Sequence, residues 1–326
     1  MKSYIGTMGF VFDCLTEMNF FYPEGLEPRD FLRYYSSKFN SVTLRGFDET
    51  LPKEWYFHIM DQVSDNPNFK FIMQLPHQFT HVGIKYGKHL WDQFWRGCNI
   101  LHENGKLGCI VVLSNTKFIC NDRNIKKLEK ICKKIPSTIA VAFDFMHWTW
   151  WESKEVEKLF NNNSNWVLST PFLENGIVGA GWAGTIPSTR IRSRKNIVPI
   201  SVSAPSIDTN TRFAYIILYG TLGKSIGSYD EHRFLEELSS RILQFESEGI
   251  DVFVTFNNTN SSYACPLPPL LVAGYLCHPH LNTIRGVDID KPCCLHDATR
   301  LTEILNLQRR SKYKIGINGY VEIDFI

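Results

Sequence analysis

The sequence predicts an α/β fold in which eight parallel strands close into a TIM-like (β/α)8 barrel. Eight short apolar runs lack the polar alternation of a half-exposed sheet, a pattern typical of parallel strands covered by helices on both faces. Segments with helical spacing separate most of these runs, and an open sheet of eight parallel strands would be unusually wide. With 326 residues and 44% hydrophobic content, the chain can bury a core of barrel size.

The predicted strands are continuous apolar segments, for example AVAF in the fifth and YIILYG in the seventh. Their β-branched and aromatic residues favour strands over helices of the same length. In chain order, the eight strands are predicted over 4–10, 41–46, 69–75, 109–114, 139–145, 166–172, 213–220 and 251–258.

Helices are predicted between most strands from apolar residues that recur at helical spacing. Pro52 opens one of them, in the first-turn position that suits proline. Asn121 or Asp122 is the expected N-cap of another. Residues 174–199 carry no convincing helical pattern. The other predicted helices are 28–39, 88–103, 125–134, 152–161 and 231–248.

A C-terminal appendage is predicted after the barrel, which we expect to finish near Leu276. We therefore divide the chain into a barrel, 1–276, and an appendage, 277–326, packed on it. The appendage is predicted to contain a Cys/His-rich loop, a helix over about 297–310 and a β-hairpin. Asn318–Gly319, between alternating residues, is the hairpin turn signal.

The charge balance excludes a strong global attraction to polyanions. The chain has 35 basic and 33 acidic residues, so any anion site must be local, and nucleic acid is not a favoured partner. Nine cysteines without a disulfide framework favour a reducing, cytoplasmic location. No segment approaches the roughly 20 apolar residues of a membrane helix, so we expect no membrane partner. The sequence identifies no protein partner.

Several motifs resemble, in order, segments of the YecE-like family, a domain of unknown function with a TIM-barrel fold. The resemblance spans about 4–258. Its most specific parts are FYPEGL at 21–26, the LP and TH pairs within 75–81, and FNN at 256–258. The resemblance implies the same barrel for this chain.

This sequence departs from the family where the family carries charged or polar residues at strand ends. Thr43 and Arg45 stand where the family typically has glutamate and asparagine, and Gln74 replaces a lysine. Ile217 and Tyr219 replace an arginine and a histidine, and the fifth-strand run Glu-Phe-Arg-His becomes Ala-Phe-Asp-Phe at 142–145. These departures imply a retained fold with a rebuilt or degenerate site.

The candidate site lies at the carboxyl ends of the strands, where the βα loops of such barrels converge. One interpretation is a binding or accessory protein for a small molecule or anion. Its ligand-binding residues would be Arg45, Gln74, Arg190, Arg192, Tyr219 and Asn258. The alternative is an active hydrolase on a phosphorylated or nucleic-acid substrate. Its catalytic residues would be Asp48, His77, Asp144 and Asn257. The sequence does not decide whether the protein is an enzyme.

An anion, a phosphate group in particular, is the expected ligand of Arg45. A guanidinium near low-dielectric walls is costly without a counter-charge. A phosphate held by Arg45 with Arg190 or Arg192 would supply that charge; Asp48 or Asp144 is the internal alternative.

No cofactor and no metal are expected. Residues 179–184 have the glycine spacing of a dinucleotide site, but no strand ends just before them and no acidic ribose partner follows. A group of cysteines and histidines in the tail offers thiolate and imidazole side chains that could bind zinc, but the spacing of these residues matches no standard zinc site. The group consists of Cys277, His278, His280, Cys293, Cys294 and His296.

Overall fold

The eight predicted barrel strands are present and parallel. The computed structural model describes residues 2–11, 21–45, 51–80, 88–115, 117–147, 149–163, 165–172, 213–220, 229, 234–257 and 294–318. The strands in this part are β1 (Ser3–Met8), β2 (Ser41–Leu44), β3 (Lys70–Gln74), β4 (Leu107–Leu113), β5 (Val141–Asp144), β6 (Trp166–Leu168), β7 (Thr170–Phe172), β8 (Phe213–Leu218) and β9 (Asp251–Phe256).

The sheet curves into a nearly closed barrel. The strands at its two ends, β6 and β7, are the two halves of one predicted strand, 166–172. The strand order is β6-β5-β4-β3-β2-β1-β9-β8-β7, with every pairing parallel. Ser169 alone separates β6, which pairs with β5, from β7, which pairs with β8. The predicted TIM-like (β/α)8 barrel is therefore confirmed, with its sixth strand interrupted at Ser169.

The predicted helices are confirmed with small differences at their ends. Asn121 is the N-cap of its helix, and its side-chain oxygen accepts a hydrogen bond from Asn124 N at 2.9 Å. The α-helices of the described part are α1 (Phe31–Lys38), α2 (Lys53–Gln62), α3 (Lys88–Glu103), α4 (Asp122–Cys132), α5 (Thr149–Glu152), α6 (Lys154–Asn161), α7 (Phe234–Ser247) and α8 (Cys294–Asn318), with short 3₁₀ helices at Pro28–Asp30 and His77–Phe79.

The C-terminal helix corrects one prediction. Residues 312–317, predicted as the first strand of a hairpin, and the predicted turn residue Asn318 are the last residues of α8. Helix propagation adds a hydrogen bond for each residue fixed, whereas a hairpin strand needs a packed partner. The preceding helix therefore overrides a short alternating pattern, and the predicted hairpin is wrong for this stretch. Gly319 and the residues after it lie outside the described part.

α8 packs against β1, β9 and α7 and contributes Leu295, Leu301 and Leu305 to the main hydrophobic core. It thus belongs to the helical layer around the barrel, next to the first and last strands. The predicted boundary at 276/277 lies within 258–293, outside the described residues, and stays a prediction. No helix of the described residues has the length and apolar character to span a membrane.

Side chains alternate between two separate cores along the barrel strands. In β9, Val252, Val254 and Phe256 belong to the core between strands and helices, whereas Phe253 belongs to a second core. That second core, which also holds alternate residues of β8, fills the barrel interior. Because side chains alternate with a period of two, we can identify the residue at each strand end that faces the barrel mouth.

Candidate functional site

Five of the sequence-predicted residues occupy interior positions at the carboxyl ends of the strands. Tyr219 belongs to the interior core, and alternation places the others two residues beyond inward-facing positions of their own strands. We call this group the barrel mouth; it consists of Arg45, Gln74, Asp144, Tyr219 and Asn257.

Asp144 is a fully buried acid at the end of β5. Its Oδ1 accepts a hydrogen bond from Ser169 Oγ at 2.9 Å, and its Oδ2 accepts one from the Tyr219 hydroxyl. Burial raises the pKa of Asp144 to about 6, although both hydroxyl donors act in the opposite direction. This carboxyl group therefore titrates close to neutral pH.

The turn after β5 is held by the neighbouring strand β4. Ser114 N donates to the Asp144 carbonyl oxygen at 3.0 Å, and Met146 N donates to Ser114 Oγ at 3.2 Å. The backbone that follows the buried acid is thus anchored to Ser114.

Arg45 lies at the end of β2 and is electrostatically coupled to Tyr219. Burial lowers the pKa of the Arg45 guanidinium, and the Tyr219 phenol acts in the opposite direction. Burial, followed by the nearby Asp144 charge, raises the pKa of Tyr219 well above its ordinary value, so this phenol stays neutral. Within the described ranges, no carboxylate forms an ion pair with Arg45. Asp48, one predicted counter-charge, lies outside them.

A polar layer lies directly below the mouth. The hydroxyls of Thr43 on β2 and Thr255 on β9 are 2.9 Å apart, and Tyr215 lies beside this pair. Thr255 and Tyr215 were not predicted from the sequence, and neither was Ser169 as the partner of Asp144. Side-chain alternation could have identified all three residues, because each occupies an inward-facing position on a predicted strand.

Asn257 follows β9 and carries a side-chain oxygen without a hydrogen-bond partner. The residue is only 7% exposed, and its backbone N donates to the Leu218 carbonyl oxygen at 2.7 Å. Its position is therefore set by the backbone at the carboxyl end of β9.

The histidines near the mouth are not joined to Asp144. His77 lies in the 3₁₀ helix after β3, and His147 Nδ1 is 2.9 Å from Thr149 Oγ1. Burial lowers the pKa of His147. Among the described residues, the side-chain hydrogen bonds of Asp144 go to Ser169 and Tyr219 and not to a histidine.

Other predicted residues lie outside the described part, namely Asp48, Arg190, Arg192, Asn258 and the tail residues Cys277, His278, His280 and Cys293. In the described part, no group of three or more His, Cys, Asp or Glu side chains is arranged to hold a metal ion. The expectation that the protein has no metal therefore stays a prediction.

Comparison with known proteins supports one family. The model of a protein family of unknown function, DUF72, matches residues 4–270. A solved DUF72 family protein from Thermotoga maritima is 22% identical, over 79% of this chain and 93% of its own, with a TM-score of 0.58. Another, from Enterococcus faecalis, is 15% identical over 93% of this chain and 95% of its own, with a TM-score of 0.62. No curated protein matches this chain.

Proposed function

This chain belongs to the DUF72 family, the family of its YecE-like motifs, and we propose that it binds a small anionic ligand, in particular a phosphate group, at the barrel mouth. The family has no established function, so the proposal rests on the mouth residues themselves. Arg45 is the proposed anchor of the anion.

The observation that carries this proposal is the environment of Arg45. Its guanidinium is partly withdrawn from water, and the group coupled to it is a neutral phenol. A charge removed from water without a counter-charge raises the free energy of the folded protein. Asp144 bonds to Ser169 and Tyr219, forms no ion pair with Arg45 and is not among the causes of the Arg45 pKa shift, so a bound anion is the better candidate for the counter-charge.

Binding without catalysis agrees best with the position of Asp144. A general acid or base must come within hydrogen-bond reach of the proton that it transfers. Asp144 is 0% exposed, and both of its side-chain oxygens are engaged inside the barrel. We therefore propose a binding or accessory role, with Gln74 and Tyr219 as polar contacts and with Asn258, Arg190 and Arg192 as further ones.

A hydrolase is the second candidate function, and the pKa of Asp144 favours it. An acid with a pKa of about 6 can be protonated close to neutral pH and can then protonate a leaving group. His77, Asn257 and Asp48 would have to join it around a phosphorylated or nucleic-acid substrate. Release of p-nitrophenol from p-nitrophenyl phosphate, lost on Asp144→Asn, would support this candidate; absence of release would count against it.

We expect Arg45→Ala to weaken the binding of inorganic phosphate by about 1.5 to 3 kcal/mol, the range for a hydrogen bond to a charged group. This loss corresponds to about a 10- to 150-fold higher Kd. Isothermal titration calorimetry at low and high salt should also show weaker binding to the unaltered protein at high salt, because salt screens the attraction.

Arg33→Ala is the matched control for this change. Arg33 lies on α1 and pairs with the exposed carboxylates of Asp61 and Asp65, so its removal should leave the phosphate affinity unchanged. Equal phosphate affinity of Arg45→Ala and the unaltered protein would refute the anion site, as would the absence of phosphate binding to the unaltered protein.

We also propose a cytoplasmic location. Cys98, Cys109 and Cys132 are buried thiols outside any disulfide. Unoxidised cysteines of this kind are typical of a reducing compartment.

A further inference from the structure

The side-chain oxygen of Asn257 is a buried acceptor that the protein leaves unused. The residue is 7% exposed, and Oδ1 has no hydrogen-bond partner. A buried polar atom without a partner destabilises the folded state, and native proteins keep few of them. Its position at the barrel mouth indicates that the missing donor belongs to a ligand.

Arg45 and Asn257 follow the two strands that flank β1. β1 lies between β2 and β9, with Met8 paired to Thr43 and Thr7 paired to Phe256. The Thr43 and Thr255 hydroxyls meet at 2.9 Å inside the barrel. Arg45 and Asn257 come two residues later on the same two strands and therefore on the same face.

The distance between β2 and β9 limits the size of a ligand that can contact both Arg45 and Asn257. Two interstrand spacings, about 10 Å, separate the backbones of β2 and β9, a gap that the Thr43 and Thr255 side chains bridge in the layer below. A ligand that contacts both needs an anionic end for Arg45 and a hydrogen-bond donor a few bonds away for Asn257. Inorganic phosphate alone supplies only the first of these.

The required donor is an uncharged one, and a hydroxyl is the donor that we favour. An amide oxygen only accepts hydrogen bonds, so the ligand must supply an O–H or an N–H. An ammonium group would be repelled by the neighbouring Arg45, whereas a hydroxyl carries no charge.

We propose that the ligand of the mouth is a hydroxylated phosphate ester, such as a sugar or polyol phosphate. Its phosphate group binds Arg45, and one of its hydroxyls donates to Asn257 Oδ1. This inference rests on the anion binding proposed above and adds the chemical class of the ligand.

The test compares two esters with the same carbon chain, glycerol phosphate and propyl phosphate, by isothermal titration calorimetry. Glycerol phosphate is expected to bind about tenfold more tightly, because its hydroxyls satisfy a buried acceptor that propyl phosphate leaves unpaired. Asn257→Leu, of similar volume, should abolish this preference.

Gln62→Leu is the matched control. Gln62, on α2, is also buried and also carries a side-chain oxygen without a hydrogen-bond partner, but it lies on the helical layer. Its replacement should leave the preference for glycerol phosphate intact. The comparison of the two esters on the unaltered protein does not depend on the folding of any variant.

The outcomes separate this inference from the proposed function. Equal binding of both esters, or a preference that survives in Asn257→Leu, overturns the hydroxyl contact and leaves the anion site standing. Absence of binding of inorganic phosphate and of both esters to the unaltered protein overturns both proposals.

Discussion

Replacing Asp144 by asparagine is expected to raise the free energy of unfolding at pH 7.5 by about 3 kcal/mol. The folded protein raises the pKa of this carboxyl group from 3.8 to about 6, because burial disfavours the charged form. A shift of about two pH units corresponds to about 3 kcal/mol. The folded state therefore binds the proton more tightly than the unfolded chain, and the charged acid destabilises the fold at neutral pH.

Because the pKa of Asp144 is higher in the folded protein than in the unfolded chain, the stability depends on pH, and this dependence sets the pH range of the experiment. Stability contributed by the protonated Asp144 is fully present below pH 4 and is lost as the pH rises through about 6. Urea denaturation of both proteins between pH 4 and 8 should show nearly equal stability at pH 4 and a growing advantage of Asp144→Asn up to about pH 7.

Asparagine can keep one hydrogen bond to each of the two partners of Asp144. The Ser169 and Tyr219 hydroxyls can each donate or accept, so one can donate to the amide oxygen and the other can accept from the amide nitrogen. Asp61→Asn, at a largely exposed carboxylate on α2, should change stability by at most about 0.5 kcal/mol. Lower stability of Asp144→Asn at pH 7.5 would show that the buried carboxylate stabilises the fold.

Gly6→Ala is expected to destabilise the protein by about 3 kcal/mol or more. A Cβ at Gly6 would lie 1.9 Å from the Ser41 carbonyl oxygen, on the strand that pairs with β1. Because this neighbour is backbone, relief requires β1 and β2 to move apart, and such overpacking has a cost at the upper end of the usual range. Urea denaturation followed by circular dichroism would measure the loss.

Gly108→Ala provides the contrast. On β4, a Cβ at Gly108 would lie 2.7 Å from Cε1 of the Phe253 side chain, which can shift without moving a strand. We expect a loss of about 1 kcal/mol there, at the lower end of the range. If the two variants are equally stable, the close approach of β1 and β2 does not constrain the barrel as we infer.

The barrel could be predicted because each element leaves a local pattern. Parallel strands buried on both faces need continuous apolar residues, and AVAF and YIILYG provide them. The prediction of a strand over 312–317 was wrong because alternation over six residues does not exclude continuation of a helix that is already formed and packed.

The contacts of the mouth could be predicted only in part. Alternation on a known strand identifies Asp144 and Tyr219 as interior, polar and close to a strand end. Their hydrogen bond joins residues 75 positions apart in the chain, and the bond to Ser169 joins residues 25 apart. No local pattern relates such positions.

The sequence by itself determined the eight-strand barrel and which polar residues end its strands, because burial on both faces and side-chain alternation are imposed residue by residue along the chain. The tertiary structure decided which of these residues share hydrogen bonds. It joined Asp144 to Ser169 and Tyr219, placed Arg45 beside a neutral phenol and left the Asn257 oxygen without a donor. These outcomes depend on distances across the barrel, which exist only when the strands have closed around a common axis.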